Sequence, residues 1–414
     1  MQGGAMNAES TGKTSQTTPT TQSTVSETNR SRVLHYLYTH GISSRASIAH
    51  ALGLSAAAIT KITARLIDAG IIHEVGGIEG RKNRRSIGLE LDPKQFHFIG
   101  VKFARSLVEI GVFDLKGATS SLTDLPTVKN DTIPETIHSI HETISTLLDS
   151  NPSIVAIGMA VPGPYLRHEG RTAVVSSMQG WRTFNFLDEF SDAFRVPVFV
   201  EQDARAGVLA QYLFDPASNN CDNLAYYLLG EGVGLGVIDD GRLVNGAQGA
   251  AAEIGHVSID VNGLPCDCGN RGCLERYCSA VAIHERLAGT GIVPDMGGMT
   301  HKQACHALFE QAAHGNHAAQ ELVHDIGRYV GYGCVTIFNT FNPERIVLGD
   351  IVAEGGQPLL EAAREVVDER VIPELNKATT ICLSKLPADA AVIGAAAVAV
   401  TQFLDHPSRF FAIT

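Results

Sequence analysis

No stretch of this chain is apolar for long enough to cross a bilayer. The longest apolar run among its 414 residues, Ala390 to Val400, falls short of the roughly 20 residues that a spanning helix requires, and reads as a buried helix. Residues 1–28 hold almost no large apolar side chain, so they cannot bury a core and are expected to form a disordered Ser/Thr-rich arm. They also lack a basic segment followed by an apolar one, which excludes a secretion signal. Eight cysteines without such a signal point to a reducing compartment, the cytoplasm, and argue against a disulfide framework. Tryptophan is nearly absent, and Trp181, the single one, either closes over a ligand or fills a core.

What is present is unevenly distributed. The hydrophobic fraction of 44% is enough for a large core, and the length suits two or three domains. The net charge is −12, yet residues 29–92 carry +4 and residues 93–414 carry −15. A basic module on an acidic body suggests a polyanion partner for the module alone.

That module has a helical pattern. Val33, Leu34, Leu37 and Tyr38 line one face of a first helix. Ser44 is placed to cap a second helix with Ile48, Ala49 and Leu52 inward, and Gly53-Leu54 forms a tight turn. Ser55 then caps a third helix whose Ile59, Ile62 and Leu66 face the core. Two short helices joined by a glycine-containing turn form a helix-turn-helix. On the third helix Ala57, Thr60, Lys61 and Ala64 point outward, small enough to let it sit deep in a major groove, with Lys61 able to reach guanine or phosphate. Residues 71–91 read as strand, glycine-rich tip and strand, which is a wing. Its tip residues Arg81, Lys82, Arg84 and Arg85 suit phosphates or a narrow A·T-rich minor groove. A solvated loop and a protein-docking domain are the plainer readings of the same residues.

From residue 96 the pattern is α/β. FHFIGVKFA and VEIGVFDLKG form a hairpin, Ile137, Ile140, Ile144, Leu147 and Leu148 mark a helix, and IVAIGMAVPGP is a buried strand. VPVFVEQDARAG runs from strand into helix. NLAYYLLGEGVGLGVIDDGRL then repeats strand, turn and strand, so two related lobes are expected, the second starting near residue 222.

The sharpest chemistry lies in residues 253–279, EIGHVSIDVNGLPCDCGNRGCLERYCS. His256, Cys266, Cys268 and Cys273 offer one imidazole and three thiolates, a donor set that matches a structural Zn²⁺ site. Gly269 and Gly272 supply the turn that returns Cys273 towards the metal. Glu253 and Glu275 flank the set. Carboxylates accept hydrogen bonds in pairs from vicinal hydroxyls, and an imidazole can ligate with one nitrogen while the other meets a hydroxyl. The plainer reading is that both glutamates only orient the loop.

E-x-G-H followed by C-x-C-G-x-x-G-C-x-E resembles the signature of the ROK family of repressors, open reading frames and sugar kinases. The resemblance implies a fold class: α/β, an N-terminal winged helix-turn-helix followed by a two-lobed actin/hexokinase-like domain with a zinc loop. The implied domains are 1–28, 29–92 and 93–414. It implies that Glu253, His256 and Glu275 hydrogen-bond sugar hydroxyls. It also puts Asp203, in VEQDAR, where the family has a catalytic Asp in its NDA motif, and puts Ser177, in SMQGW, where the family has Asn. The segments that hold nucleotide in the kinases differ. D-x-G-G-T becomes Lys102, Ala104, Arg105 and Ser106 at the aligned positions, G-T-G-x-G carries Glu231, and a glycine pair is Gly349-Asp350.

The expected protein is therefore a sugar-responsive transcription factor, a repressor and not an enzyme, with Asp203 a vestigial base. As a homodimer, or a dimer of dimers, it would bind an inverted-repeat, A·T-rich operator through Ser55, Ala57, Thr60, Lys61, Ala64 and the wing tip. A sugar or sugar phosphate would release it, with no membrane partner. The alternatives are a sugar kinase with an appended DNA-binding domain, and a repressor controlled by a protein partner.

Overall fold

A computed structural model describes residues 22–413 except 80–84, 105–106, 127, 129–130, 174–178, 220 and 387–389. The chain divides into two compact units. One runs up to Leu91 and takes in the C-terminal segment from Asp405; the other is Asp92–Leu404.

The first unit contains α1 (Gln22–His40), β1 (Ser43–Ser44), α2 (Arg45–Leu52), α3 (Ala56–Asp68), β2 (His73–Glu79) and β3 (Arg85–Glu90). Val33, Leu34, Leu37 and Tyr38 of α1 are buried with Ile48, Ile59, Ile62 and Leu66, the three-helix core that the periodicity predicts. Ser44 and Ser55 cap α2 and α3 by accepting from the Ser47 and Ala58 amides. Gly53 ends α2 at φ 65°, a left-handed conformation that glycine adopts without a Cβ penalty. β2 and β3 pair antiparallel as the wing, and β1 completes the sheet against β3.

Two expectations change here. Residues 22–28, assigned to the arm, belong to α1, and residues from Asp405, assigned to the second domain, pack with the first unit. Both follow from contacts that composition does not reveal. Glu27 takes hydrogen bonds from Arg30 at 2.8 Å and from the Ser408 hydroxyl at 2.6 Å, and His35 meets Asp405 at 2.8 Å. Burial alone would raise the Glu27 carboxyl pKa, but its hydrogen bonds from Ser408 and Arg30 outweigh that and lower it.

The second unit is built twice from one plan. Its first half contains β4 (His97–Phe103), β5 (Val108–Asp114), β6 (Thr119–Asp124), α4 (Ile133–Ser150), β7 (Ile154–Val161), β8 (Tyr165–Leu166), β9 (Arg171–Thr172), α5 (Phe186–Phe190), β10 (Val198–Gln202) and α6 (Asp203–Phe214). Its second half contains β11 (Leu224–Leu229), β12 (Val233–Asp239), β13 (Arg242–Leu243), α7 (Glu275–Cys278), α8 (Ala280–Leu287), α9 (His301–Ala313), α10 (His317–Phe341), β14 (Arg345–Gly349), α11 (Gly356–Arg370), α12 (Pro373–Ala378), β15 (Thr380–Leu383) and α13 (Ala390–Asp405). The sheets run β6-β5-β4-β7-β10 and β13-β12-β11-β14-β15. In each, three antiparallel strands are followed by two parallel ones, so the repeat seen in the sequence is a repeat of topology.

The central strands β4, β7, β11 and β14 are buried along most of their length, whereas the edge strand β6 is exposed. Ile140 and Ile144 of α4 are fully buried against the first sheet, each contributing about 1.5–3 kcal/mol. The apolar run 390–400 is the buried helix α13. Its backbone lies so close to the first sheet that a Cβ on Gly158 would sit 1.9 Å from the Ala395 carbonyl oxygen.

Candidate functional site

Parallel strands of both sheets end at one place, the C-terminal edge where open α/β folds bind ligands. Gln202 ends β10 and caps α6 by accepting from the Arg205 amide. Asp203 is therefore the first helical residue rather than the cap, with its Oδ1 2.7 Å from the Ala204 amide. β12 packs on α6 so tightly that a Cβ on Gly236 would lie 2.2 Å from the Ala204 oxygen. β12 also carries the Glu253 segment, because Gly255 passes under it, where a Cβ would meet the Val233 oxygen at 2.2 Å. Glu275, at the start of α7, accepts from the Val233 amide at 3.2 Å. Asp203, Glu253 and Glu275 thus converge from three elements.

Burial pushes the Glu253 carboxyl up to about 7, opposed by Arg205 and reinforced by Asp203 and Glu275. At neutral pH it can donate as well as accept. A raised carboxylate pKa costs stability above the folded value, and that cost fades as pH falls towards the unfolded one. Glu253→Gln is therefore expected to stabilise the protein by up to about 3 kcal/mol at pH 8 and by little at pH 4.5, read by urea unfolding at both.

The four sulfur and nitrogen donors lie beside these carboxylates. The Nδ1 of His256 and the Sγ atoms of Cys266, Cys268 and Cys273 all lie within 4.8 Å of one another. Cys266 to His256 is 3.9 Å and Cys268 to Cys273 is 3.6 Å, close to the roughly 3.7 Å edge of a tetrahedron with metal–sulfur bonds of about 2.3 Å. The residues fit a metal ion and are compatible with zinc. Nδ1 faces the thiols, which leaves Nε2 for another partner. Gly272 closes the loop at φ 67°, with a hypothetical Cβ only 1.7 Å from the Asp260 oxygen. Gly272→Ala is expected to destabilise the second unit by about 2–3 kcal/mol and to weaken metal binding, read by thermal unfolding and metal analysis.

Sequence reasoning missed a pair of arginines here, one of them fully buried. Arg205, 0% exposed, pairs with Glu201 through Nε at 2.7 Å, and Arg167 pairs with the same carboxylate and with Asn245. No spacing rule signals it, because Glu201 lies in the strand β10 and Arg205 in the helix α6. Trp181 is fully buried, edge-on to Phe103 and Phe184, so it fills the core rather than covering a ligand. Ser177 lies outside the described residues.

In the first unit, Ser55, Ala57, Thr60, Lys61 and Ala64 are all exposed on one face of the α3 segment, opposite Ile59, Ile62 and Leu66. Arg81, Lys82 and Arg84 lie outside the described residues, and of Arg85 only the backbone is described, opposite Glu79.

Residues 98–402 match the ROK family model. The chain belongs to the ROK family. Residues 27–73 match a winged helix-turn-helix DNA-binding model, so this ROK protein carries both the DNA-binding fold and the two-lobed domain. It is 28% identical over 391 residues to a xylose repressor of Bacillus spizizenii, covering 93% of this chain and 98% of the relative. It is 29% identical over 372 residues to the DNA-binding transcriptional dual regulator NagC of Escherichia coli, covering 87% and 90%. A solved ROK family transcriptional regulator, a homologue of the E. coli MLC protein, superposes with a TM-score of 0.76 at 27% identity, covering 92% and 97%. A ROK glucokinase from Streptomyces griseus, solved with glucose and AMPPNP, superposes with a TM-score of 0.63 at 25% identity, covering 72% of this chain and 98% of its own.

The nucleotide side of the ROK domain carries the departures that the sequence shows. Glu231 follows β11, with His301 Nδ1 2.8 Å from its carboxylate. Asp350 follows β14 at φ 72° and ψ −170°, a region normally left to glycine that costs a side-chain-bearing residue about 1–3 kcal/mol.

Proposed function

We propose that this ROK protein is a sugar-responsive, DNA-binding transcriptional repressor of carbohydrate genes. The observation that carries the reading is the union in one chain of an exposed, capped recognition helix and a carboxylate cluster suited to sugar hydroxyls. The similarity to repressors across nearly the whole chain supports it. In this reading α3 enters the major groove through Ala57, Thr60, Lys61 and Ala64, and a homodimer matches an inverted repeat. Asp203, Glu253, Glu275 and the free Nε2 of His256 hold the sugar. Zn²⁺ on His256, Cys266, Cys268 and Cys273 fixes the loop between the two glutamates. The sugar shifts operator affinity by as much as its affinities for the two closure states differ.

The test is a gel shift on DNA from the gene's own upstream region, with zinc-loaded protein and a panel of sugars and sugar phosphates. Release by one of them is the expected result. Asp203→Asn is expected to raise the concentration of that sugar needed for release at least tenfold while leaving DNA affinity unchanged. Tight binding that no sugar alters would instead favour control by a protein partner. Solved kinases share the two-lobed fold, so hexose-dependent ATP turnover is measured in parallel. None above background is expected.

A further inference from the structure

The second unit holds a charge arrangement around Lys102 in which only Asp203 is also assigned to the sugar. Lys102 is the penultimate residue of β4, in register with Ala160 of β7 and Glu109 of β5. Its ammonium is 3.8 Å from Glu109, and its side chain is 18% exposed. Asp203 leaves the end of β10 in the same sheet. From the other sheet, β11 is followed by Gly230-Glu231, and the parallel β14 ends at Gly349 and is followed by Asp350. Gly230 and Asp350 are close enough that a Cβ on the glycine would lie 2.8 Å from the Asp350 carboxylate.

We propose that the Lys102 ammonium is a built-in counterion joining the two lobes, at the strand ends where a kinase of this fold would place a metal-bound nucleotide. Asp350 and Glu231 of the other lobe, with Glu109 and Asp203 of its own, act on its charge, Asp350 most strongly. Burial disfavours the charged amine, but these four carboxylates outweigh burial and raise its pKa. The backbone geometry gives independent support. Asp350 is held in a glycine-type conformation with Oδ1 2.7 Å from the Ile351 amide, so a strained position keeps its carboxylate on this cleft. A phosphate group would meet Glu231 and Asp350, and a divalent cation would meet Lys102. The link between lobes is therefore intramolecular and needs no nucleotide. This inference rests on the fold and stands or falls apart from the sugar reading.

The experiment titrates Mn²⁺, read by electron paramagnetic resonance, into zinc-loaded full-length protein. Lys102→Met keeps most of the side-chain stem and removes the charge. It is expected to bind Mn²⁺ at least tenfold more tightly than the parent, and adding Asp350→Asn, which can still cap Ile351, is expected to abolish the gain. No gain in a folded Lys102→Met protein overturns the proposal. A second measurement keeps the test open if that variant does not fold. In the parent protein, acetic anhydride labelling of Lys102 is expected to be at least tenfold slower than that of exposed Lys61, and Asp350→Asn is expected to accelerate it. Equal labelling of Lys102 and Lys61 overturns the proposal as well.

Discussion

Replacing Cys268 with serine is expected to abolish metal binding at the proposed zinc site and, with it, the proposed response to sugar. Apart from such a metal, the loop from His256 to Cys273 is held mainly by hydrogen bonds rather than by apolar packing. Val261 is 78% exposed and Leu264 47%, so the loop has no apolar core of its own. A few backbone bonds remain, among them Ile259 to Gly272 and Cys266 to Asn270. Structural zinc sites contribute on the order of 10–16 kcal/mol in small peptides, comparable with the whole stability of a domain. A serine hydroxyl has nearly the shape of the thiol but is not deprotonated at neutral pH, so it cannot supply the third anionic donor. The loop would then loosen at both ends, where Glu253 and Glu275 are attached. Metal analysis should fall from about one equivalent to below about 0.1, and sugar affinity by tenfold or more. Operator binding without sugar should persist, because the helix-turn-helix has a separate core. Retained sugar response with no bound zinc would remove the loop from the mechanism.

Reversing the charge at Lys61 should have the largest effect on DNA. Lys61 is exposed on α3 between Thr60 and the buried Ile62. Losing one phosphate or guanine contact costs about 1–3 kcal/mol, and a glutamate adds repulsion from the phosphates. A dimer counts the loss twice. Lys61→Glu is therefore expected to weaken operator binding by a factor of about 10²–10⁴. Lys61→Ala should reduce the salt slope by about one per protomer. Folding should not change, since the side chain lies outside the core, and thermal unfolding checks that. An unchanged operator affinity would mean that α3 does not read the groove.

Several parts of this molecule were legible as sequence because they are set by local chemistry. The caps Ser44 and Ser55, the inward face of α3, the buried run that forms α13 and the Cys/His donor set all depend on spacing within one element or one short loop. The lobe repeat was legible too, because each half begins with the same glycine-bearing hairpin.

Tertiary structure decided what depends on partners far apart in the chain. The helicity of residues 22–28 comes with bonds from Glu27 to Ser408, 381 residues away, and nothing in a Ser/Thr-rich composition announces it. Trp181 sits in an aromatic core supplied by Phe103, Phe184 and Phe186, where position alone allowed a ligand-facing role. Glu253 rises to about 7 only because folding buries it with Asp203 and Glu275. In sequence Lys102 stood only as a departure from a nucleotide-holding motif; folding puts it under the influence of carboxylates of both lobes. Periodicity and spacing report what a residue does within its own element. Burial, charge coupling and long-range pairing arise only when elements distant in sequence are packed together.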